Sequence, residues 1–220
     1  MRDIPGMNRL AVVPLVLSVA LCGCAAPSGE QIVSRSQALL DERSVSTSSV
    51  EQLTRKPLPL KPADISLDEQ AEVFDIGGQK SYVAVFELPS FQRPYSVTLS
   101  SNPDGPPLDI RIFVPRVTVL DDQFKVTRSF TEDGLRSRGR SLERTVFFNP
   151  GNSRDRYLLI HSGLLRAAYQ RDVQLLTNQT ISAGAVTMNW ADGQDAKGMV
   201  RPSPVGKVEL TVDGLSTAAY

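Results

Sequence analysis

Tyr95-Ser96-Val97-Thr98-Leu99-Ser100 decides the fold class. Apolar and polar side chains alternate one for one, and a period of two belongs to a strand with one face buried and the other wetted. Upstream, Tyr82-Val83-Ala84-Val85-Phe86-Glu87-Leu88 is a second strand that ends at Pro89. Downstream, Asn102-Pro103-Asp104-Gly105-Pro106-Pro107 is a dense turn signal. Ile110-Arg111-Ile112-Phe113-Val114 and Arg116-Val117-Thr118-Val119-Leu120 flank Pro115, a residue that suits a sheet edge or a bulge. Phe124-Lys125-Val126-Thr127 follows the Asp121-Asp122 turn. Thr145-Val146-Phe147-Phe148 and Tyr157-Leu158-Leu159-Ile160 are separated by Asn149-Pro150-Gly151-Asn152. Residues 164–176 predict a helix, and Val208-Glu209-Leu210-Thr211-Val212 is the last strand. About eight short strands spaced by turns predict a mainly β chain, with an antiparallel, sandwich-like domain over residues 63–220.

The composition agrees. Fifteen Pro, fifteen Gly and 22% charged residues in a chain of 220 fit a turn-rich β domain better than a helical bundle. With 24 basic and 24 acidic side chains there is no general attraction for nucleic acid, and no nucleic-acid partner is expected. A single histidine excludes the paired-histidine zinc motif on a helix, and two cysteines cannot form a four-cysteine metal site. Neither a metal nor a cofactor is expected, and no internal repeat is visible.

The amino terminus speaks to the compartment. Leu10 to Cys22 reads LAVVPLVLSVALC, thirteen uncharged residues preceded by Arg9 and Arg2. A bilayer-crossing helix needs about 20 apolar residues, so this run has the length and flanks of a secretory signal instead. It meets Leu21-Cys22-Gly23-Cys24, which resembles the lipobox of bacterial lipoproteins, with Cys24 as the acyl acceptor. Residues 1–23 are then a signal peptide, with Met7 an alternative start, and Cys24 carries acyl chains that hold the protein to a membrane. Ala25 follows where an Asp would favour the inner membrane, which points to the outer membrane, facing the periplasm. Processing removes Cys22 and acylates Cys24, which leaves no thiol for a disulfide or for catalysis.

Residues 24–62 read as a polar tether with a short helix. Ser28 can cap a helix over residues 30–42, with Ile32, Val33, Leu39 and Leu40 roughly on one face. The alternating prolines of Lys56-Pro57-Leu58-Pro59-Leu60-Lys61-Pro62 impose extended backbone. A stalk that holds the domain off the membrane and a helix packed on the domain surface both fit this pattern.

The order of these pieces resembles the maltose operon periplasmic protein (MalM) family. The resemblance rests on Ser49-Val50-Glu51-Gln52-Leu53-Thr54, on the two strands ending at Pro89 and Ser101, and above all on Ile112-Phe113-Val114-Pro115-Arg116-Val117-Thr118-Val119-Leu120-Asp121. Phe130 and Arg156-Tyr157-Leu158-Leu159-Ile160 fall at further β positions, so that it spans about residues 48–215. It implies a periplasmic-side accessory role in maltose or maltodextrin uptake and no catalytic residues. Maltodextrin or a component of maltose uptake is the implied partner. An envelope adaptor that binds another protein, through an open edge near Pro115, is the alternative.

Several residues invite a functional reading. His161 would need a nucleophile and an orienting carboxylate to act as a base, but adjacent Ser162 points to the other face of the strand. Asp121-Asp122 and residues 102–109 offer oxygen ligands without the spacing of a calcium loop, and turn chemistry accounts for them equally well. Arg136, Arg138, Arg140 and Arg144, followed by Arg154 and Arg156, form an anion-patch candidate, partly neutralised by Glu132, Asp133, Glu143 and Asp155. Trp190, Tyr169 and Tyr95 are the candidates for stacking on a sugar ring, and Trp190 sits among Asn189, Asp192, Gly193 and Gln194.

Overall fold

A computed structural model describes residues 26–162, 167–184 and 186–215. The expected signal peptide, residues 1–23, and Cys24, the expected attachment point, lie outside the described residues. The chain opens with helix α1 (Gly29–Glu42) and a single 3-10 turn (Val50–Gln52). Strands follow as β1 (Arg55–Pro57), β2 (Ala63–Leu67), β3 (Glu72–Asp75), β4 (Lys80–Glu87), β5 (Tyr95–Ser101), β6 (Asp109–Phe113) and β7 (Pro115–Leu120). The second half holds β8 (Val126–Phe130), β9 (Arg136–Arg138), β10 (Ser141–Phe148), β11 (Tyr157–Ser162), β12 (Tyr169–Ala183), β13 (Val186–Ser203) and β14 (Gly206–Asp213).

Two sheets form the sandwich. One is ordered β1-β4-β11-β7-β8, with β3 also pairing on β4, and the other β2-β14-β5-β10-β9. Pairing is antiparallel except for β1 on β4. In β5 burial alternates without exception, and Tyr95, Val97, Leu99 and Ser101 face inward. Tyr95, Val97 and Leu99 meet Tyr82, Phe86, Val117, Val119, Leu158 and Ile160 of the facing sheet in one core. β4 is buried almost continuously because its second face is covered too: Val83, Val85 and Leu159 pack with Leu53 from the 3-10 turn.

Residues 29–58 belong to this packed unit. Ser28 and Gln31 form a reciprocal capping box, in which the Ser28 hydroxyl accepts from the Gln31 amide and the Gln31 side chain accepts from the Ser28 amide. Leu40, 1% exposed, and Leu58 enter the sandwich core. The helix expected over residues 30–42 is therefore a packed helix. Among the described residues no helix is long and apolar enough to cross a membrane.

A third sheet, β12-β13-β6, departs from expectation. The helix expected over residues 164–176 is absent where it can be seen: from Tyr169 onward the chain is β12, fifteen residues paired in unbroken antiparallel register with β13. Residues 164–166 lie outside the described residues. Leu, Arg, Ala and Gln give this stretch helical propensity, but hairpin pairing with β13 overrides it. β6 runs parallel to β13 only from Met199 to Ser203, so the rest of the hairpin projects as a two-stranded arm. Pro115 also differs from expectation. It is buried and opens β7, an inner strand flanked by β11 and β8, where the first residue needs no amide donor. The bulge lies at Val119/Leu120 instead.

Candidate functional site

The turn at residues 102–109 builds a concavity. Gly105, at φ +101°, lets the chain reverse so that Asp104 and Arg111 exchange both backbone hydrogen bonds, at 2.8 and 2.7 Å. Their side chains pair as well, carboxylate to guanidinium. This pair, with Asn102, Phe113, Lys207 and Ile32 of α1, lines a cavity of about 430 Å³. Asp109, at the end of the same turn, fastens the helix that forms one wall. Its Oδ1 accepts from Arg201 Nε at 2.6 Å and its Oδ2 from the Gly29 amide at 3.0 Å, and Arg201 reaches Glu30 at 3.2 Å. The hydrogen bond from Arg201, reinforced by the Gly29 amide, holds the Asp109 carboxyl below the usual carboxylate range. A β-carbon on Gly29 would stand 2.7 Å from that carboxylate, so a larger residue there has to push the Asp109 side chain aside.

The oxygen-rich turns thus satisfy themselves. Asp121 Oδ1 accepts from the amides of Gln123 and Lys125, both at 2.9 Å, and Asp122 is exposed beside it. Among the described residues no cluster of three metal-ligating side chains occurs.

His161 is 5% exposed in β11. Its Nδ1 lies 3.1 Å from the Ser162 carbonyl, which can only accept, so Nδ1 carries the proton and Nε2 accepts from the Thr118 hydroxyl at 3.2 Å. Burial, opposed by the Ser162 bond and helped by nearby Arg116, pushes its pKa down to about 4. The Ser162 hydroxyl points away to Ser81 Oγ at 2.8 Å. Histidine and serine occupy opposite faces, as the alternation requires, and the imidazole holds two neutral partners.

The arginine cluster divides. Arg136 and Arg138 stand exposed on β9, with Arg138 3.6 Å from Glu143, and Arg140 follows Gly139 in the hairpin turn. Arg144 shares the inward parity of Val146 and Phe148 on β10 and is buried. Its Nη2 donates to the carbonyls of Thr131 and Asp133, and burial lowers its pKa from the ordinary arginine value. Arg154 is exposed, while Arg156 donates to the carbonyls of Ser153 and Asp155, both at 2.9 Å.

The aromatic candidates divide too. Tyr95 stacks on Phe148 inside the sandwich, with ring centroids 4.6 Å apart and planes within 10°. Tyr169, half exposed at the base of the arm, lines a second cavity of about 280 Å³ with Arg140, Arg171 and Ile112. Trp190 pairs with Gln179 in the arm, whereas Tyr169 pairs with Val200. Ten residues of strand separate positions 190 and 200, about 34 Å, so Tyr169 and Trp190 cannot grip one sugar ring. The Trp190 side chain lies outside what is described. Tyr169 and Arg140, drawn from different candidate sets, are the two that come together. Neither Arg201 nor the Asp104–Arg111 pair carries a motif that marks it as functional, since their partners lie in other elements.

The profile of the family described as Maltose operon periplasmic protein precursor (MalM) matches residues 78–212, more than half of the chain. No curated protein and no solved structure matches.

Proposed function

The chain belongs to the MalM family of maltose operon periplasmic proteins, and from that premise we propose that it is a lipid-anchored, non-catalytic accessory of maltose and maltodextrin uptake. In this reading it works on the periplasmic side of the outer membrane, held there by acyl chains on Cys24. The family match carries the proposal. Support for the anchor comes from the charged start, the short apolar run and the Leu21-Cys22-Gly23-Cys24 tetrad. Support for a non-catalytic role comes from His161, which is sealed in neutral form among Thr118, Ser162 and Arg116. The separation of Tyr95, Tyr169 and Trp190 favours an adaptor that acts through protein contacts over a sugar receptor built on them. The test is maltodextrin uptake in a deletion strain complemented with the wild-type gene or with Cys24→Ser. Uptake should fall on deletion and return fully only with the wild type, and unchanged uptake on deletion would refute the role. Calorimetry with maltotriose separates the two modes: no heat at millimolar sugar leaves the adaptor, and saturable heat restores sugar binding.

A further inference from the structure

Among the described residues β12 has one edge paired to β13 and no strand paired on the other. An unpaired edge is a template for another strand, and proteins normally blunt such edges with charge, proline, bulges or brevity. The other edges of this molecule follow that rule. β1 is three residues long and ends in Pro57, β9 is three residues with two arginines, and β3 is four residues bounded by Glu72 and Asp75. β2, β6 and β8 are five residues each, with Asp64, Asp109 and Arg128 among them. β12 is fifteen residues long, has no Pro or Gly, and from Gln174 to Ser182 bears no charge. Its hairpin partner is guarded where β6 leaves it: the outer edge of β13 carries Asp192, Gly193, Asp195, Lys197 and Gly198. One edge of the arm is defended and the other is open.

The arm also lacks a third strand. Outward from Asp172↔Lys197 it consists of twelve cross-strand pairs that β6 does not back, about 40 Å of ribbon. A two-stranded ribbon is marginal in water, and a third or fourth strand stabilises it.

We propose that two copies of this chain pair antiparallel through the open edges of β12, about a two-fold axis at Leu176, to make a four-stranded sheet. Residue identities favour a second copy as the occupant. In this register all fifteen residues are paired: Leu176 faces Leu176 of the second copy, Gln174 faces Asn178, Asp172 faces Thr180 and Arg171 faces position 181, so no charge opposes its like. The side chain at the axis, Leu176, is 67% exposed, and pairing gives this exposed apolar group an apolar neighbour. A strip about 50 Å long and about 10 Å wide on each copy removes on the order of 1,000 Å² in total, the threshold for a specific interface. The two-fold consumes both open edges and leaves only the guarded β13 edges outside, so assembly closes at two rather than growing into a filament. This pairing stands apart from the uptake role and would survive that role's failure.

Sedimentation velocity of the detergent-solubilised full chain tests it, on the wild type, on Leu176→Lys and on Leu176→Asp. Both substitutions are at an exposed side chain, and an unchanged circular dichroism spectrum will show that the fold is retained. The wild type is expected to sediment as a dimer at micromolar concentration. Each variant is expected as a monomer, because it sets like charges opposite one another at the axis. An equimolar mixture of the two variants is expected to recover the dimer as a Lys–Asp pair. A monomeric wild type, dimeric single variants, or a mixture that stays monomeric would each overturn the proposal.

Discussion

The single histidine makes one prediction unusually clean. His161 is neutral and buried, held by Thr118 and by the Ser162 carbonyl, with a pKa of about 4 in the folded chain. In the unfolded chain it titrates near its ordinary value of about 6.5. The unfolded state therefore binds more protons between these two values, and stability must fall as pH falls through that window. At and above neutrality the penalty is absent. Working the linkage through, stability should drop by about 2 kcal/mol between about pH 7 and about pH 5, with the rest of the loss below that. Between about pH 5 and about pH 7 no other side chain of this sequence has its ordinary pKa, so the slope there belongs to His161. Two assays check it. Urea unfolding at a series of pH values should show the slope in the wild type and a flattened one in His161→Gln, whose neutral amide can keep the bond to the Ser162 carbonyl. Proton NMR of the one imidazole should give a midpoint near 4 in the folded protein. A midpoint near 6.5, or the same slope in His161→Gln, would refute the reasoning.

Three further substitutions test the packing directly. Asp155, 5% exposed, accepts from Thr127 at 2.6 Å and from Arg128 at 2.5 and 3.1 Å, so Asp155→Ala strands a half-buried guanidinium and should cost about 3 kcal/mol in urea unfolding. Leu40→Ala should lower stability by about 2–5 kcal/mol if α1 is part of the folded unit, and a change below about 0.5 kcal/mol would mean a helix free of the core. Phe124 holds φ at +57° while its ring stacks on Tyr157 at 4.5 Å with Arg55 above both. Phe124→Ala loses the stack but keeps the left-handed backbone, whereas Phe124→Gly loses the stack and relaxes it. The glycine variant should melt later than the alanine variant by about 1 kcal/mol of stability, reversing their usual order.

Alternation along β5 and β10 explains both what was readable in the sequence and where the reading failed. It identified β5 and its neighbours because each has one face in the core. The same rule, applied to candidates, places Tyr95 in phase with Val97 and Leu99, and Arg144 in phase with Val146 and Phe148. Both are therefore inward residues, and neither is available to a sugar or an anion. Clustering by sequence distance had grouped Arg144 with Arg136 and Arg138, although the register Glu143↔Arg136 puts Arg144 a residue past the end of β9 on the other face. The helix cap at Ser28 was legible since its partners are local, and the capping box is closed within four residues. What holds α1 down was not, because Asp109 and Arg201 lie 80 and more residues away. β12 failed for a related reason. Its alternation is weak on its own and becomes meaningful only beside β13, a strand whose glycines and aspartates carry no strand signal.

The family match begins at residue 78 and ends at residue 212, and this boundary cuts through the folded unit. It includes the arm whole, together with β6, Asp109 and Arg201. It omits α1, the 3-10 turn and β1 to β3, although Leu40, Leu53, Leu58, Leu67 and Val73 from those segments are all buried. The omitted part closes one face of the first sheet, through Leu53 against Val83 and Val85, and supplies an edge of the second, through β2 on β14. It also walls the cavity beside the 102–109 turn, which Ile32 of α1 lines together with Arg111 and Lys207. The segment that precedes the family match is thus built into the core by apolar burial and by the Asp109–Arg201–Glu30 clasp. Among the described residues no free helical stalk separates the sandwich from residue 26. The β12–β13 hairpin, rather than a stalk, is the element that runs beyond the packed sheets.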